Sequence, residues 1–105
     1  MNDRPDIGVA PLAQTITGDT VPALPRGVRV HDDKVRTRTV LLAPERTLAL
    51  DETSIAILNV TDGARSVRQI SEALADAYAA PVDVIEADVI GFFEALRDKR
   101  MVELT

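Results

Sequence analysis

The sequence predicts an α+β fold in which a three-stranded antiparallel sheet is followed by three helices. Residues 27–50 contain three short runs rich in β-branched and aliphatic residues, and turn residues separate these runs. Residues 51–100 contain three runs with helical spacing of apolar residues, and each follows a capping residue. This order of elements is that of a winged-helix-like domain.

The three predicted strands form a meander. The segment GVRVHDD alternates, with Val28 and Val30 on one side, which indicates a half-buried strand. The segment RTRTVLLA becomes fully apolar at residues 40–42 and breaks at Pro44, because proline cannot donate a ladder hydrogen bond. The third strand, residues 47–50, is very short. Since two short turns join the strands, we expect the second strand to be central and the third to lie at an edge.

Each predicted helix begins after a side chain that can accept hydrogen bonds from the first free backbone N–H groups. The second and third helices open with capping-box patterns, in which a residue three positions on bonds back to the cap. Asp62-Gly63 is expected to end the first helix, because glycine suits a left-handed cap. The caps are Asp51 for the first helix, Ser66 with Gln69 for the second, and Asp83 with Glu86 for the third.

Helical spacing separates core residues from others on the second and third helices. On the third helix one set of four lies within roughly 60° around the axis, and Ile90 and Phe93 lie roughly 80–140° away from Ile85 as a second apolar shoulder. The shoulder either packs under a neighbouring strand or the N-terminal tail, or lines a groove that awaits a ligand. The predicted core stripes are Val67, Ile70, Leu74, Ala77 and Tyr78 on the second helix, and Ile85, Val89, Phe92 and Leu96 on the third.

Composition argues against several classes of function. The net charge is −5, and the chain lacks the overall basic stripe that phosphate contacts require, so no nucleic-acid partner is expected. There is no cysteine, which removes disulfides, thiolate metal sites and a thiol nucleophile. His31 is the only histidine and has no partners for a catalytic triad or a metal site. We therefore expect no enzyme activity and no metal site.

The location of the protein and its N-terminal segment are also expectations from sequence. No run approaches 18 consecutive apolar residues and the first residues are not a signal peptide, so we expect a cytoplasmic protein without a membrane span. Residues 1–22 are rich in proline without periodicity, which predicts a flexible tail or a linker from a fused upstream domain, dispensable for folding. Residues 23–105 then form the domain, as a monomer or a strand-exchanged dimer.

Several short motifs together match the pattern of one known family. They are Leu42-Ala43-Pro44-Glu45-Arg46, then Leu48-x-Leu50-Asp51, Asp62-Gly63, and Tyr78-x-Ala80-Pro81 with Asp88-Val89 downstream. From about Pro22 to Leu104 the chain resembles the D protein of pyrroloquinoline quinone (PQQ) biosynthesis, the PqqD family. Family members often have glycine near position 100, where this chain has Arg100, so the final turn departs from the family pattern.

The resemblance implies a small, cofactor-free peptide chaperone that is not an enzyme. Such a protein binds the ribosomally made precursor peptide of PQQ biosynthesis and presents it to a radical-SAM enzyme, which cross-links a glutamate and a tyrosine of the peptide. Related recognition domains capture a leader peptide as an added strand between the third strand and the third helix. The peptide-binding residues implied here are Arg46, Thr47, Leu48, Ala49, Leu50, Val89, Ile90, Phe93 and Arg97.

Two alternatives stay open at this point. One is a winged-helix DNA-binding domain, and the other is a structural subunit that contacts only the enzyme. A basic cluster, Arg26, Arg29, Arg36 and Arg38, is either a solvated strand face or a surface for docking the enzyme. If the shoulder lines the peptide cleft, truncating Phe93 should weaken binding while the domain stays folded, and truncating Phe92 should damage the core.

Overall fold

The computed structural model describes residues 15–105, so residues 1–14 of the predicted tail lie outside the described residues. The observed order of three antiparallel strands followed by three helices confirms the predicted α+β fold. A pair of two-residue strands at the two ends of the described chain is added to it. The elements are β1 (Pro22–Ala23), β2 (Arg29–Asp33), β3 (Arg38–Ala43), β4 (Arg46–Ala49), α1 (Glu52–Asn59), α2 (Val67–Tyr78), α3 (Val82–Asp98) and β5 (Glu103–Leu104).

The main sheet has the order β2-β3-β4, so β3 is central as predicted. Leu41 of β3 is fully buried and lies opposite Val30 on one side and Leu48 on the other. A two-residue turn joins β3 to β4. Pro44 occupies its first position, and Glu45 has a φ of 65°, which the second position of a type II turn requires. This turn fixes the register of β4, which lies at the edge of the sheet.

The predicted caps of α1 and α2 are confirmed. The Asp51 carboxylate accepts a hydrogen bond of 2.8 Å from the backbone N–H of Ser54. In α2 both bonds of the capping box are present, because the Ser66 hydroxyl accepts from the Gln69 N–H and the Gln69 side chain accepts from the Ser66 N–H. These signals lie within four residues of one another, so the local sequence is sufficient to determine them.

Two other predicted helix boundaries are wrong. Helix α1 ends at Asn59, and Gly63, with a φ of 82°, lies in the following loop rather than at the cap. Helix α3 begins after Pro81 without a side-chain cap. Asp83 and Glu86 instead contact the guanidinium of Arg68 on α2, at 3.3 and 2.7 Å. A competing cation on a neighbouring helix thus draws both carboxylates away from the predicted capping box.

The end of α3 has the hydrogen bonds of a Schellman motif. The Met101 N–H donates to the Leu96 carbonyl at 2.9 Å, and the Arg100 N–H donates to the Arg97 carbonyl at 3.0 Å. Arg100 has a φ of 58°, so it adopts the left-handed conformation that glycine adopts most readily. Position 100 therefore has arginine where family members often have glycine, but the chain still forms a left-handed turn there.

The core lies between the sheet and the three helices, and α2 packs along α3. None of the three helices in residues 15–105 is long and apolar enough to cross a bilayer. Ala77 and Tyr78, predicted as part of the α2 core stripe, are instead exposed in the last turn of α2. The buried apolar residues that form the core cluster are Ile16, Leu41, Ile57, Leu58, Val67, Ile70, Leu74, Val89, Phe93, Leu96 and Met101.

Residues 15–23, the N-terminal strap, are packed on the domain. Ile16 and Thr20 are only 6% and 8% exposed. The carbonyls of Gly18 and Thr20 accept hydrogen bonds of 2.9 and 2.8 Å from the first backbone N–H groups of α2, and β1 pairs with β5. The prediction of a flexible tail over residues 1–22 therefore does not hold for residues 15–22, and their dispensability for folding stays a prediction. The capping of α2 by the strap depends on a contact between distant residues, which proline content does not reveal.

We expect Ile16→Ala to lower the free energy of unfolding by about 2 kcal/mol, since it removes most of a buried aliphatic side chain. Val35→Ala is the matched control, because Val35 is 92% exposed at the tip of the β2–β3 hairpin. Urea denaturation of both variants measures the difference. Equal stability of the two variants would show that the strap is not part of the folded unit.

Candidate functional site

The outer side of β4 presents backbone groups in a defined alternation. The Leu50 N–H donates to the Thr39 carbonyl at 3.0 Å, and Leu48 pairs with Leu41 in the same register. In an antiparallel ladder alternate residues direct both backbone groups to the same neighbour. Leu50, Leu48 and Arg46 therefore point to β3, whereas Thr47 and Ala49 point outward. Within residues 15–105 no other strand pairs with this outer side.

The side chains of β4 divide in a similar way. Leu48 is half-buried and packs against the core, as does Leu50 directly after the strand. Arg46, Thr47 and Ala49 are exposed. The edge therefore offers main-chain N–H and C=O groups at Thr47 and Ala49 on a strand that two leucines anchor to the domain.

A cleft opens where β4 leads into α1. We call it the edge cleft; it lies between the start of α1 and the middle of α3. Gly91 on its α3 side has no side chain, and a Cβ placed there would meet no atom within 4 Å. The lining residues are Asp51, Thr53, Ser54, Ile57, Ala87, Asp88, Gly91 and Phe92.

The rotation of α3 assigns Phe92 and Phe93 to roles opposite to those predicted. Phe93 is 0% exposed in the core, and Phe92 is half-buried and lines the edge cleft, with the two ring centroids 5.2 Å apart. The prediction that Phe93 lies off the core is wrong. Adjacent residues differ by only 100° around a helix, so a modest rotation of the buried face exchanges them. The neighbours that cover α3 set this rotation, and the helical wheel does not contain them.

The other predicted α3 residues do not face the edge cleft either. Val89 is fully buried, and Ile90 is half-buried against the core. The Arg97 side chain is 21% exposed and contacts Asp98 at 3.1 Å. Around the helix axis Ile90 and Arg97 lie roughly 160–180° from Asp88, so they are on the opposite side of α3 from the cleft. The predicted residues of β4 therefore lie at the open edge that precedes the cleft, whereas the predicted residues of α3 do not line the cleft.

One signal in the sequence points to the residues that were missed. Glycine inside a helix costs about 1 kcal/mol relative to alanine, so an interior glycine needs a reason. Gly91 lies in the middle of α3, is exposed, and has no packing neighbour that would exclude a methyl group. Gly91 lies on the wall of the edge cleft, where the missing side chain leaves room for another backbone to approach α3.

The chemistry available at this site is hydrogen bonding and apolar contact. The Asp51 pKa is lowered because its carboxylate accepts a hydrogen bond from the Ser54 backbone N–H, which favours the charged form. Within residues 15–105 no group of three or more acidic or histidine side chains is placed to hold a metal ion. The arrangement is suited to binding an extended chain.

Comparison with known proteins identifies the family. The model of the family described as coenzyme PQQ synthesis protein D (PqqD) matches residues 38–102. This chain belongs to the PqqD family. A PqqA binding protein of Rhizobium meliloti is 45% identical over 88% of this chain and 94% of its own length. The bifunctional coenzyme PQQ synthesis protein C/D of Methylorubrum extorquens is 42% identical over 96% of this chain, which spans 28% of that longer protein.

Two solved PqqD structures share the fold. The solution structure of the PqqD truncation of Methylobacterium extorquens PqqCD superposes with a TM-score of 0.76 at 43% identity, covering 88% of this chain and 97% of that one. It is described as a functional, stand-alone recognition element for ribosomally synthesised and post-translationally modified peptides. The crystal structure of PqqD from Xanthomonas campestris has a TM-score of 0.53 at 41% identity, covering 83% and 97%. The resemblance noted from the sequence motifs is thereby confirmed.

We expect the two phenylalanines to differ sharply in their contribution to stability. Phe93→Ala should lower the free energy of unfolding by about 3–5 kcal/mol, as truncation of a fully buried phenylalanine does. Phe92→Ala should cost about 1–2 kcal/mol, because part of its ring already contacts solvent. Chemical denaturation of both variants gives the comparison. A Phe92→Ala variant as unstable as Phe93→Ala would contradict the rotation of α3 described above.

Acidification should weaken the cap of α1 that borders the edge cleft. The folded-state pKa of Asp51 lies below its ordinary value of 3.8. Its stabilising effect is therefore complete above that value and is lost as pH falls through the lowered pKa. Asp51→Asn keeps an acceptor without the charge. The stability difference between the native chain and this variant should shrink between neutral pH and about pH 2. A difference independent of pH would show that the charge contributes nothing.

Proposed function

We propose that this chain binds the ribosomally made PqqA precursor peptide by adding an extended segment of it as a strand to β4. The observation that carries the proposal is the outward direction of the N–H and C=O groups of Thr47 and Ala49 beside the edge cleft. An edge of this kind accepts a ligand strand through main-chain hydrogen bonds. The names of the PqqA binding proteins among its relatives support the identity of the ligand.

In strand addition, main-chain hydrogen bonds provide affinity and side chains provide selectivity. Hydrogen bonds to Thr47 and Ala49 hold any extended segment, because they use main-chain groups only. Selectivity then comes from ligand side chains, which alternate between the two faces of the sheet. Those directed into the edge cleft meet Ile57 and the exposed part of the Phe92 ring. Apolar ligand side chains at these positions are favoured because they and the exposed part of the Phe92 ring lose contact with water, while Ile57 is already buried.

We further propose that the bound peptide is presented to a radical-SAM enzyme that cross-links a glutamate and a tyrosine within it. Capture by the main chain at one segment leaves the remaining peptide, including the reacting side chains, outside the cleft. The site itself offers main-chain groups, apolar surface and carboxylates, which suits holding a peptide rather than transforming it. The chemistry is therefore assigned to the enzyme and the positioning to this chain.

The charges of the helices weigh against DNA binding. Between Asp51 and Asp98 the chain has ten acidic residues and three arginines. The three arginines all contact carboxylates, with Arg65 on Asp62, Arg68 on Glu72, Asp83 and Glu86, and Arg97 on Asp98. A helix that enters a groove of DNA needs cations for the phosphates. In both α2 and α3 the arginine side chain already contacts carboxylates of the same domain.

Ala49→Pro should abolish binding of PqqA while the domain stays folded. Proline removes the outward N–H of Ala49, and it is tolerated where a strand's N–H faces solvent. Ala49→Val is the matched control, because it keeps the N–H and suits a strand. Isothermal titration with PqqA in the absence of any enzyme measures the affinity, and circular dichroism monitors the fold. A folded Ala49→Pro variant that binds like Ala49→Val would rule out strand addition at this position.

A further inference from the structure

A second groove lies between α1, α2 and α3, with a cavity volume of about 240 Å³. We call it the acidic groove. Its floor is apolar and includes Ile57, Leu74 and Ile85, and its lining contains the carboxylates of Glu52 and Asp88. The volume is below the roughly 300–1,000 Å³ typical of sites for small-molecule ligands. The size is thus more suitable for one side chain than for a free metabolite.

The acidic groove is continuous with the edge cleft. Thr53, Ile57 and Asp88 line both. The edge cleft in turn contains Asp51, which follows β4 after one residue. A peptide strand that leaves β4 beyond Leu50 therefore crosses the edge cleft and reaches the acidic groove without turning away from the surface. This path of the peptide presupposes the proposed strand addition to β4.

The charge of the groove is not balanced from within. Glu52 and Asp88 are exposed, and neither carboxylate forms an ion pair or a hydrogen bond with another residue in the described part of the chain. No lysine or arginine lines the acidic groove or the edge cleft. The positive end of the α1 dipole lies here as well, but Asp51 already caps it and Glu52 stands in its first turn. The site therefore favours a cation.

Tyr78 adds a second feature that suits a cation. Its side chain is 64% exposed at the end of α2, on the wall of the groove. An exposed aromatic ring attracts an ammonium or guanidinium placed over its face. Lysine and arginine also have long apolar stems, which pack on apolar surface while the charged end stays in water.

We propose that the acidic groove binds one lysine or arginine side chain of the same peptide, on the flank that leaves β4 past Asp51. The stem of that side chain packs on Leu74 and Ile85. Its charged end lies at Glu52 and Asp88, beside the Tyr78 ring. This contact gives the peptide a fixed position along β4, which main-chain hydrogen bonds alone do not provide because they are the same at every residue.

The test compares two double variants that each remove two negative charges. Glu52→Gln with Asp88→Asn removes the carboxylates of the groove. Asp76→Asn with Glu94→Gln removes two exposed carboxylates of α2 and α3 that do not line it. Titration with full-length PqqA should show binding weakened about three- to tenfold in the first and little changed in the second. Equal affinities of the two folded variants would overturn the proposal.

Peptide variants locate the cation. Each lysine and arginine of PqqA is replaced by glutamine in turn, and one replacement should weaken binding to the native chain but not to the Glu52→Gln, Asp88→Asn variant. Equal losses on both proteins at every position would overturn the proposal. Self-association lost only in that double variant would assign the groove to a second copy and overturn it too. If either of these outcomes is found and Ala49→Pro still abolishes binding, strand addition is supported and the cation site alone is contradicted.

Discussion

The burial of Phe93 fixes the rotation of α3, and the composition of the site follows from it. Phe93, Val89 and Leu96 are all fully buried, so this side of α3 is committed to the core. The side that remains toward the start of α1 then carries Asp88, Gly91 and Phe92. A rotation of one residue would replace the small and acidic wall of the edge cleft with another set of side chains. Core packing thus selects which groups a ligand meets.

The turn at Pro44 and Glu45 imposes the corresponding constraint on the sheet. Because the turn has two residues, Arg46 pairs with Ala43, and the alternation along β4 is set from that pair onward. Thr47 and Ala49 then direct their backbone groups outward while Leu48 and Leu50 anchor the strand. A register shifted by one residue would place the leucines on the other face. The same short turn therefore determines where the edge lies and which residues of β4 direct their backbone groups outward.

Local signals in the sequence predict much of this fold, and contacts between distant residues account for the errors. The caps at Asp51 and Ser66 and the strand order depend on residues close in sequence. The strap around Ile16, the attraction of Glu86 to Arg68 and the burial of Phe93 depend on residues that meet only after folding. Of the predicted site, the β4 residues lie at the open edge, and the α3 residues do not. Periodicity indicates that a helix has an apolar face but not which neighbour covers it.

The two open edges of the main sheet differ in a way that fits a single binding edge. On β2 the outward backbone groups belong to Val30 and Asp32, since His31 pairs with Val40 on β3. Asp32 is itself charged, and Arg29 and Asp33 in the same strand add two further charges, which protect an edge against unwanted pairing. On β4 the outward positions are Thr47 and Ala49, which are uncharged and small. The protection of β4 is its length of four residues, which limits pairing to a short segment. Arg46 is the one charged residue of β4, at its start. A short edge with uncharged outward residues beside a cleft fits the proposed binding of a peptide whose flanking side chains also fit, and it gives little stability to a strand without them.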